Sequence, residues 1–274
     1  MLDLSASGAP RPFLTAVASG KGGVGKTWFA ITLAHALSAL GRRVVLFDAD
    51  LGLANVDIQL GLSPAHDLGT VLAGRATLAE VAAPVEGAGF AVIAGRSGSG
   101  SLAGLPVARV QSLLGGLATL PYDAVVLDLG AGLDTATRLI ASRADLLLVL
   151  ATDEPTSLTD AYAVIKLHAA DAHGGRAEIV VNQAASAASG QRTYTTLARA
   201  CTRFLAATPP LAGIVRRDDR VRYAIRHQTP LLTRHPNSQA ASDVRCIAAA
   251  LAGSLAGGIA AGLAASYTGN LSSP

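Results

Sequence analysis

The 274-residue chain is predicted to fold as a doubly wound α/β domain, a mostly parallel sheet with helices on both faces. Three observations predict it. Short apolar runs alternate with helical segments along most of the chain. Most of those runs are continuous in Val, Ile, Leu and Ala rather than alternating with polar residues. A glycine-rich turn joins the first run to the first helix. Continuous runs are expected of parallel strands buried on both faces, and strand–helix alternation of a sheet covered on both sides.

Taken in order, residues 1–12 are small, polar and punctuated by proline, and read as a loose leader. Strands are expected at 13–19, 43–49, 89–94, 124–129, 145–151, 177–182 and 211–215. Between them, helices are expected at about 26–40, 106–118, 134–142, 156–171, 190–207, 217–227 and 238–252. The first of these reads as amphipathic, with Phe29, Ala30, Leu33, Leu37 and Leu40 on one side. No linker or charge run divides 13–252, so one domain is the simplest expectation. The tail 253–274 is rich in Ala and Gly and carries no Lys, Arg, Asp or Glu. There Ile247, Leu251, Leu255, Ile259 and Leu263 recur every fourth residue and would form an apolar stripe on a helix, which each glycine weakens by roughly 1 kcal/mol relative to Ala.

Composition narrows the function classes. Half the residues are hydrophobic and 15% are charged, so the chain can bury a sizeable core and is not a disordered one. A net charge of +3 does not argue for nucleic acid by itself. Cys201 and Cys246 fit neither a disulfide framework nor a paired-cysteine metal site, and a reducing, cytosolic setting is the default. No basic start followed by an apolar run is visible near Asp3, so no secretory signal is expected. Basic positions are nearly all arginine. The only lysines are Lys21, Lys26 and Lys166, and two of them fall in the glycine-rich turn. A compact ammonium fits among phosphate oxygens where a wide guanidinium does not.

That turn is the segment Gly20, Lys21, Gly22, Gly23, Val24, Gly25, Lys26, Thr27, followed by Trp28. An apolar strand precedes it and a helix follows it, the context a phosphate-binding loop requires. Its glycines let backbone N–H groups approach phosphate oxygens, and the helix N-terminus adds partial positive charge. Lys26 is the candidate to bridge the β- and γ-phosphates, and the Thr27 hydroxyl the candidate Mg²⁺ ligand. Two further strands end in carboxylates, one at Asp48-Ala49-Asp50 and one at Asp128. Carboxylates at such ends face the crevice where α/β folds bind ligands; as isolated features they could equally cap helices.

The early lysine makes the loop resemble the deviant phosphate loop of the MinD/ParA ATPases, and the resemblance covers about residues 13–250. It implies ATP and Mg²⁺ as cofactors and an ATP-dependent homodimer. In such a dimer Lys21 reaches the partner's phosphates and acts like an arginine finger. A solvated loop lysine is the alternative. The resemblance also implies that Asp50, in switch I, positions the attacking water, that Asp48 supports Mg²⁺ through water, and that Asp128 opens switch II at Asp128–Gly132. It implies an Asn against the adenine, for which Asn182 is the candidate, with Ile214–Arg216 as the facing wall. Many relatives carry proline where this chain has Arg216.

Within that family, Asp48–Asp57, Asp153–Ala163 followed by Lys166, Gly190-Gln191 and His235–Ala240 look like the FlhG/FleN regulators of flagellar number. The implied role is a slow ATPase acting on flagellar assembly or regulatory proteins. Read without the family, Asp153–Lys166 is a strand exit and a helix start with Leu158, Tyr162 and Ile165 inward. Residues 1–12 lack the segment with which such regulators stimulate a partner GTPase. The tail has no basic residue after Arg245, so the electrostatic part of membrane docking, about 1 kcal/mol per Lys or Arg, is missing. Packing or disorder of the tail is preferred to contact at the inner face of the membrane. Arg216, Arg217, Arg220, Arg222 and Arg226, interrupted by Asp218 and Asp219, read as a solvated, internally paired helix face rather than a DNA surface. The competing functions are a MinD-type division-site regulator and a ParA-type DNA-partition ATPase; a metal-cluster carrier would need paired cysteines.

Overall fold

A computed structural model of the protein describes residues 11–50, 52–95, 105–171 and 176–268, with side chains through Gly253. The leader up to Pro10, and the side chains of Leu255, Ile259 and Leu263, lie outside the described residues. In chain order the elements are β1 (Phe13–Ala18), α1 (Lys26–Ala39), β2 (Val44–Ala49), α2 (Val56–Leu60), α3 (Leu68–Leu72), β3 (Ala83–Pro84), β4 (Ala91–Ile93), α4 (Val107–Leu117) and β5 (Ala124–Leu129). There follow α5 (Thr135–Arg143), β6 (Leu146–Ala151), α6 (Pro155–Asp171), β7 (Arg176–Ala184), α7 (Ala187–Leu205), β8 (Leu211–Arg216), α8 (Asp219–Arg226), α9 (Leu231–Arg234) and α10 (Gln239–Thr268).

The strands form one sheet in the order β3-β4-β2-β5-β1-β6-β7-β8. Every neighbouring pair is parallel except β3 and β4, where Ala83 opposes Val92 antiparallel. All six residues of β2, β5 and β6 are buried. Along β6, Leu146, Leu148 and Leu150 join the core on one face, and Leu147, Val149 and Ala151 join the core on the other. The two-residue period of a strand thus puts apolar side chains into both layers, which is why these runs are apolar without interruption. Helices α1, α9 and α10 cover one face; α4, α5, α6 and α7 cover the other. β1 lies between β5 and β6, where the winding reverses, and α/β folds open their ligand crevice at such a reversal.

Several elements depart from the sequence expectation. Helix α1 is not amphipathic: it is buried nearly all round, and Leu40, assigned to its inner side, lies beyond its end and is half exposed. The cause is a second cover. Ala240, Ala241, Val244, Ile247, Ala248 and Leu251 of α10 share its core, so α1 is held between the sheet and another helix. β3, α2, α3 and α9 are two to five residues long, too short to show a period. Helix α8 begins at Asp219 because the Asp218 side chain caps it, accepting from Arg220 N at 3.0 Å. The α10 backbone continues to Thr268 rather than ending near 252; the alanines of that tract favour helix enough to carry the glycines.

Candidate nucleotide site

The phosphate loop leaves β1 at Ser19. The buried Ser19 hydroxyl donates to Lys21 O at 2.7 Å, which shapes the first turn. Gly25 closes the loop with φ +92°, a left-handed conformation that glycine adopts freely. A Cβ there would also lie 2.7 Å from Asn182 Nδ2. Because Gly25 offers no side-chain cap, the first N–H groups of α1 face the loop with their partial positive charge, an arrangement suited to an anion.

Lys26 and Thr27 open α1 beneath this loop. Lys26 is buried, and desolvation lowers its pKa while the charges of Asp128 and Asp50 oppose that shift. The two strand-end carboxylates stand in register: Asp48 on β2 pairs with Asp128 on β5. Asp48 is a staple for the following loop. Its Oδ2 accepts from Asn55 N at 3.0 Å and Val56 N at 3.1 Å, and its Oδ1 from Asp50 N at 3.2 Å. Burial still pushes it up to about 6, against those hydrogen bonds. Asp128 is pushed further, to about 8, by burial and then by Asp48, while the Thr27 hydroxyl bond and Lys26 pull it back. Its Oδ1 is buried without a hydrogen-bond partner.

Asp50 reaches the same place from the loop. Its Oδ1 accepts from Leu53 N at 2.9 Å and Gly52 N at 3.3 Å. A Cβ on Gly130, in the Asp128–Gly132 segment, would lie 3.2 Å from that oxygen. Gly132 N donates to Ser19 O at 3.4 Å. Thus the two switch candidates, after β2 and after β5, approach each other, and the second is bonded to the exit of β1.

The expected base residue, Asn182, is buried at the end of β7. Its Nδ2 donates to Val24 O at 2.7 Å, and its Oδ1 accepts from Gln183 N at 2.9 Å. Gln183 is left-handed, φ +58°, and its Nε2 donates to Gly23 O at 3.4 Å. Two adjacent amides therefore hold carbonyls of the phosphate loop, a contact the motif alone did not announce. Beside them is a cavity of about 310 Å³ lined by Gly23, Gly25, Trp28, Asn182, Gln183, Val215, Arg216 and Arg217, among others. Val215 and Arg216, at the end of β8, are part of that lining. The Arg216 guanidinium is bidentate to Asp243 of α10, at 2.7 and 2.9 Å.

One expectation needs revision here. The arginines around α8 are not internally paired: Arg216 turns to Asp243, and among the described residues Arg217, Arg220, Arg222 and Arg226 are exposed and make no ion pair. Of the neighbouring acids, Asp218 caps α8 and accepts from Ala240 N. Lys21, expected to reach a partner's phosphates, rests partly exposed on its own chain. Its ammonium is bound to Glu154 and to Thr156 Oγ1 of the same chain, at the start of α6.

The residues present fit a magnesium–nucleotide complex. The unpartnered Asp128 oxygen, the adjoining Thr27 hydroxyl and the uncapped helix N-terminus supply one cation contact and one anion cradle. No group of three His, Cys, Asp or Glu side chains among the described residues is arranged as a metal cage. A metal here would take its other ligands from phosphate oxygens and water, as Mg²⁺ does.

Comparison with known proteins agrees with this geometry. Residues 15–231 match the model of the CobQ/CobB/MinD/ParA nucleotide binding domain. The chain is 38% identical over 236 residues to the antiactivator FleN of Pseudomonas aeruginosa, covering 85% of this chain and 84% of that protein. It is 30% identical over 241 residues to the flagellum site-determining protein YlxH of Helicobacter pylori, covering 86% and 80%. In fold it is similar to the septum site-determining protein MinD complexed with Mg-ADP from Pyrococcus horikoshii, with a TM-score of 0.72 at 22% identity, covering 86% of this chain and 94% of that one. The chain belongs to the MinD/ParA family of P-loop nucleotide-binding domains.

Proposed function

We propose that the chain is an ATP-binding, slowly ATP-hydrolysing dimerisation switch that regulates flagellar number or placement. The observation that carries the chemical part is the buried Lys26 set against the Asp48–Asp128 pair under a complete phosphate loop. Likeness to FleN and YlxH supports the flagellar part. In this reading Lys26 and the loop N–H groups bind the β- and γ-phosphates. Thr27 holds Mg²⁺, with Asp48 and Asp128 acting through water, and Asp50 orients the attacking water. Mg²⁺, when bound, neutralises phosphate charge. Asn182 and the cavity beside it take the adenine. Lys21 serves the phosphates of a second copy. The setting is cytosolic, with flagellar assembly or regulatory proteins as partners.

The test compares wild type with Lys21→Ala and Asp50→Ala for ATP-dependent dimerisation and for hydrolysis. Both variants should lose turnover by about 100-fold, the size of removing one charge-stabilising group. Normal hydrolysis by Lys21→Ala would rule out the cross-dimer mechanism. The unpaired arginines about α8 keep one second reading, a DNA-partition ATPase. That reading requires ATP-dependent, salt-sensitive retention on DNA. A MinD-type division-site role instead requires ATP-dependent sedimentation with anionic liposomes.

A further inference from the structure

Two segments far apart in the chain, the early lysine of the phosphate loop and the run that opens α6, meet in space. Lys21 Nζ donates to a Glu154 carboxylate oxygen and to Thr156 Oγ1, the latter at 3.1 Å. These acceptors lie 133 and 135 residues downstream. The meeting is built into the backbone. Gly20 approaches α6 so closely that a Cβ on it would lie 2.5 Å from the Cβ and carbonyl oxygen of Asp160. On the other side of Lys21's turn, Ser19 Oγ holds Lys21 O. The α6 turn is tied in its own right: Thr152 N, just past β6, donates to the buried Ser157 Oγ at 3.0 Å. Both backbones are therefore fixed, and the freedom left belongs to the two long side chains, 38% exposed for Lys21 and 61% for Glu154.

A half-exposed ion pair between flexible side chains is weak and screened by salt. It can bias where an ammonium rests without holding it against a stronger acceptor. The phosphate groups of a nucleotide on a facing chain carry more charge than one carboxylate. We propose that Glu154, with Thr156 beside it, is a cis latch on Lys21: it keeps the ammonium within its own chain and must release it before Lys21 can serve a second copy. The inference rests on the dimer-switch reading above and adds a control to it. Glu154 is a positioning residue acting through Lys21. Because a symmetric dimer opens two latches, each contributes to the concentration at which the chain dimerises.

The test uses the full chain, whose three lysines make side-chain NMR of labelled lysine simple to assign with Lys21→Arg and Lys166→Arg. The Lys21 signal should move in Glu154→Gln, and return in Glu154→Asp. It should also move in wild type on adding Mg²⁺ and a non-hydrolysable ATP analogue. In sedimentation with the analogue, Glu154→Gln should dimerise about threefold more tightly per latch, about tenfold in the dimer constant, with Thr156→Val shifting it less in the same direction. If Glu154 merely capped α6, its loss would lower thermal stability and leave the dimer constant alone. A Lys21 signal indifferent to Glu154→Gln overturns the latch. So does a wild type that dimerises at the same concentration as Glu154→Gln. A wild type that stays monomeric with the analogue overturns the dimer reading itself, and the latch's purpose with it, even where the lysine signal shows the contact.

Discussion

Asp128 ends β5 with a buried oxygen that no donor reaches and with a second carboxylate, Asp48, in register on β2. A buried pair of like charges resists ionising together. The folded-state pKa of Asp128 is raised to about 8, above the usual carboxylate value of about 4. The folded chain therefore holds a proton that the unfolded chain releases, and stability from this group is full below about pH 4 and is lost as pH rises through about 8. In chelator-containing, nucleotide-free buffer, Asp128→Asn should match wild type near pH 4. It should exceed it at pH 8 by about 2 kcal/mol. Thermal melts across that range check this, and parallel curves would count against it. The same substitution should weaken Mg²⁺-dependent nucleotide binding, since it removes the charge the ion meets. Lys26, buried against these acids, was readable from the loop motif; the register of Asp48 with Asp128 was not, because strand order across a sheet is not written in the loops that precede it.

At the scale of elements, the strands were legible because both faces of the sheet are covered, so their apolar runs are unbroken. Helix α1 misled for a related reason. Its exposed-looking positions meet α10, more than two hundred residues later, and periodicity reports one buried face only when one face is buried. Close approaches between elements give sharper tests than the elements themselves. In α7, a Cβ on Gly190 would lie 2.4 Å from Ile214 Cγ2 of β8 and 3.2 Å from Ala184 Cβ of β7. Gly190→Ala should cost about 1–3 kcal/mol in denaturant melts while leaving the phosphate loop untouched. Gly20→Ala meets α6 backbone at 2.5 Å, which cannot yield as a side-chain end can. It should displace the loop and weaken nucleotide affinity by on the order of tenfold or more, read by titration calorimetry. At α5, Asp134 accepts from Ala136 N and Thr137 N, both at 3.0 Å. Asp134→Ala should cost about 1 kcal/mol.

For the whole molecule, the reversal of winding at β1 gathers residues from the ends of β1, β2, β5, β6 and β7 around one loop. α10 closes the opposite face by covering α1. Among the described side chains Leu251 is the last buried one of α10, and Ala252 packs partly buried against the same core; a chain ending after Gly253 should keep its thermal midpoint within about 2 °C and bind nucleotide as before. A larger loss would show that residues beyond Gly253 pack on the domain. Among the described residues no helix is long and apolar enough to cross a membrane.

By itself the sequence determined the phosphate loop, the strands that carry it and the carboxylates at their ends, since each is a local matter of residue type and spacing within about ten positions. Only the tertiary structure decided where Lys21 rests, what Asn182 holds and which acids stand side by side. Those contacts join segments separated by 133, 158 and 80 residues, and at such distances partners are chosen by the packing of the sheet and its two helical layers rather than by anything a local pattern encodes.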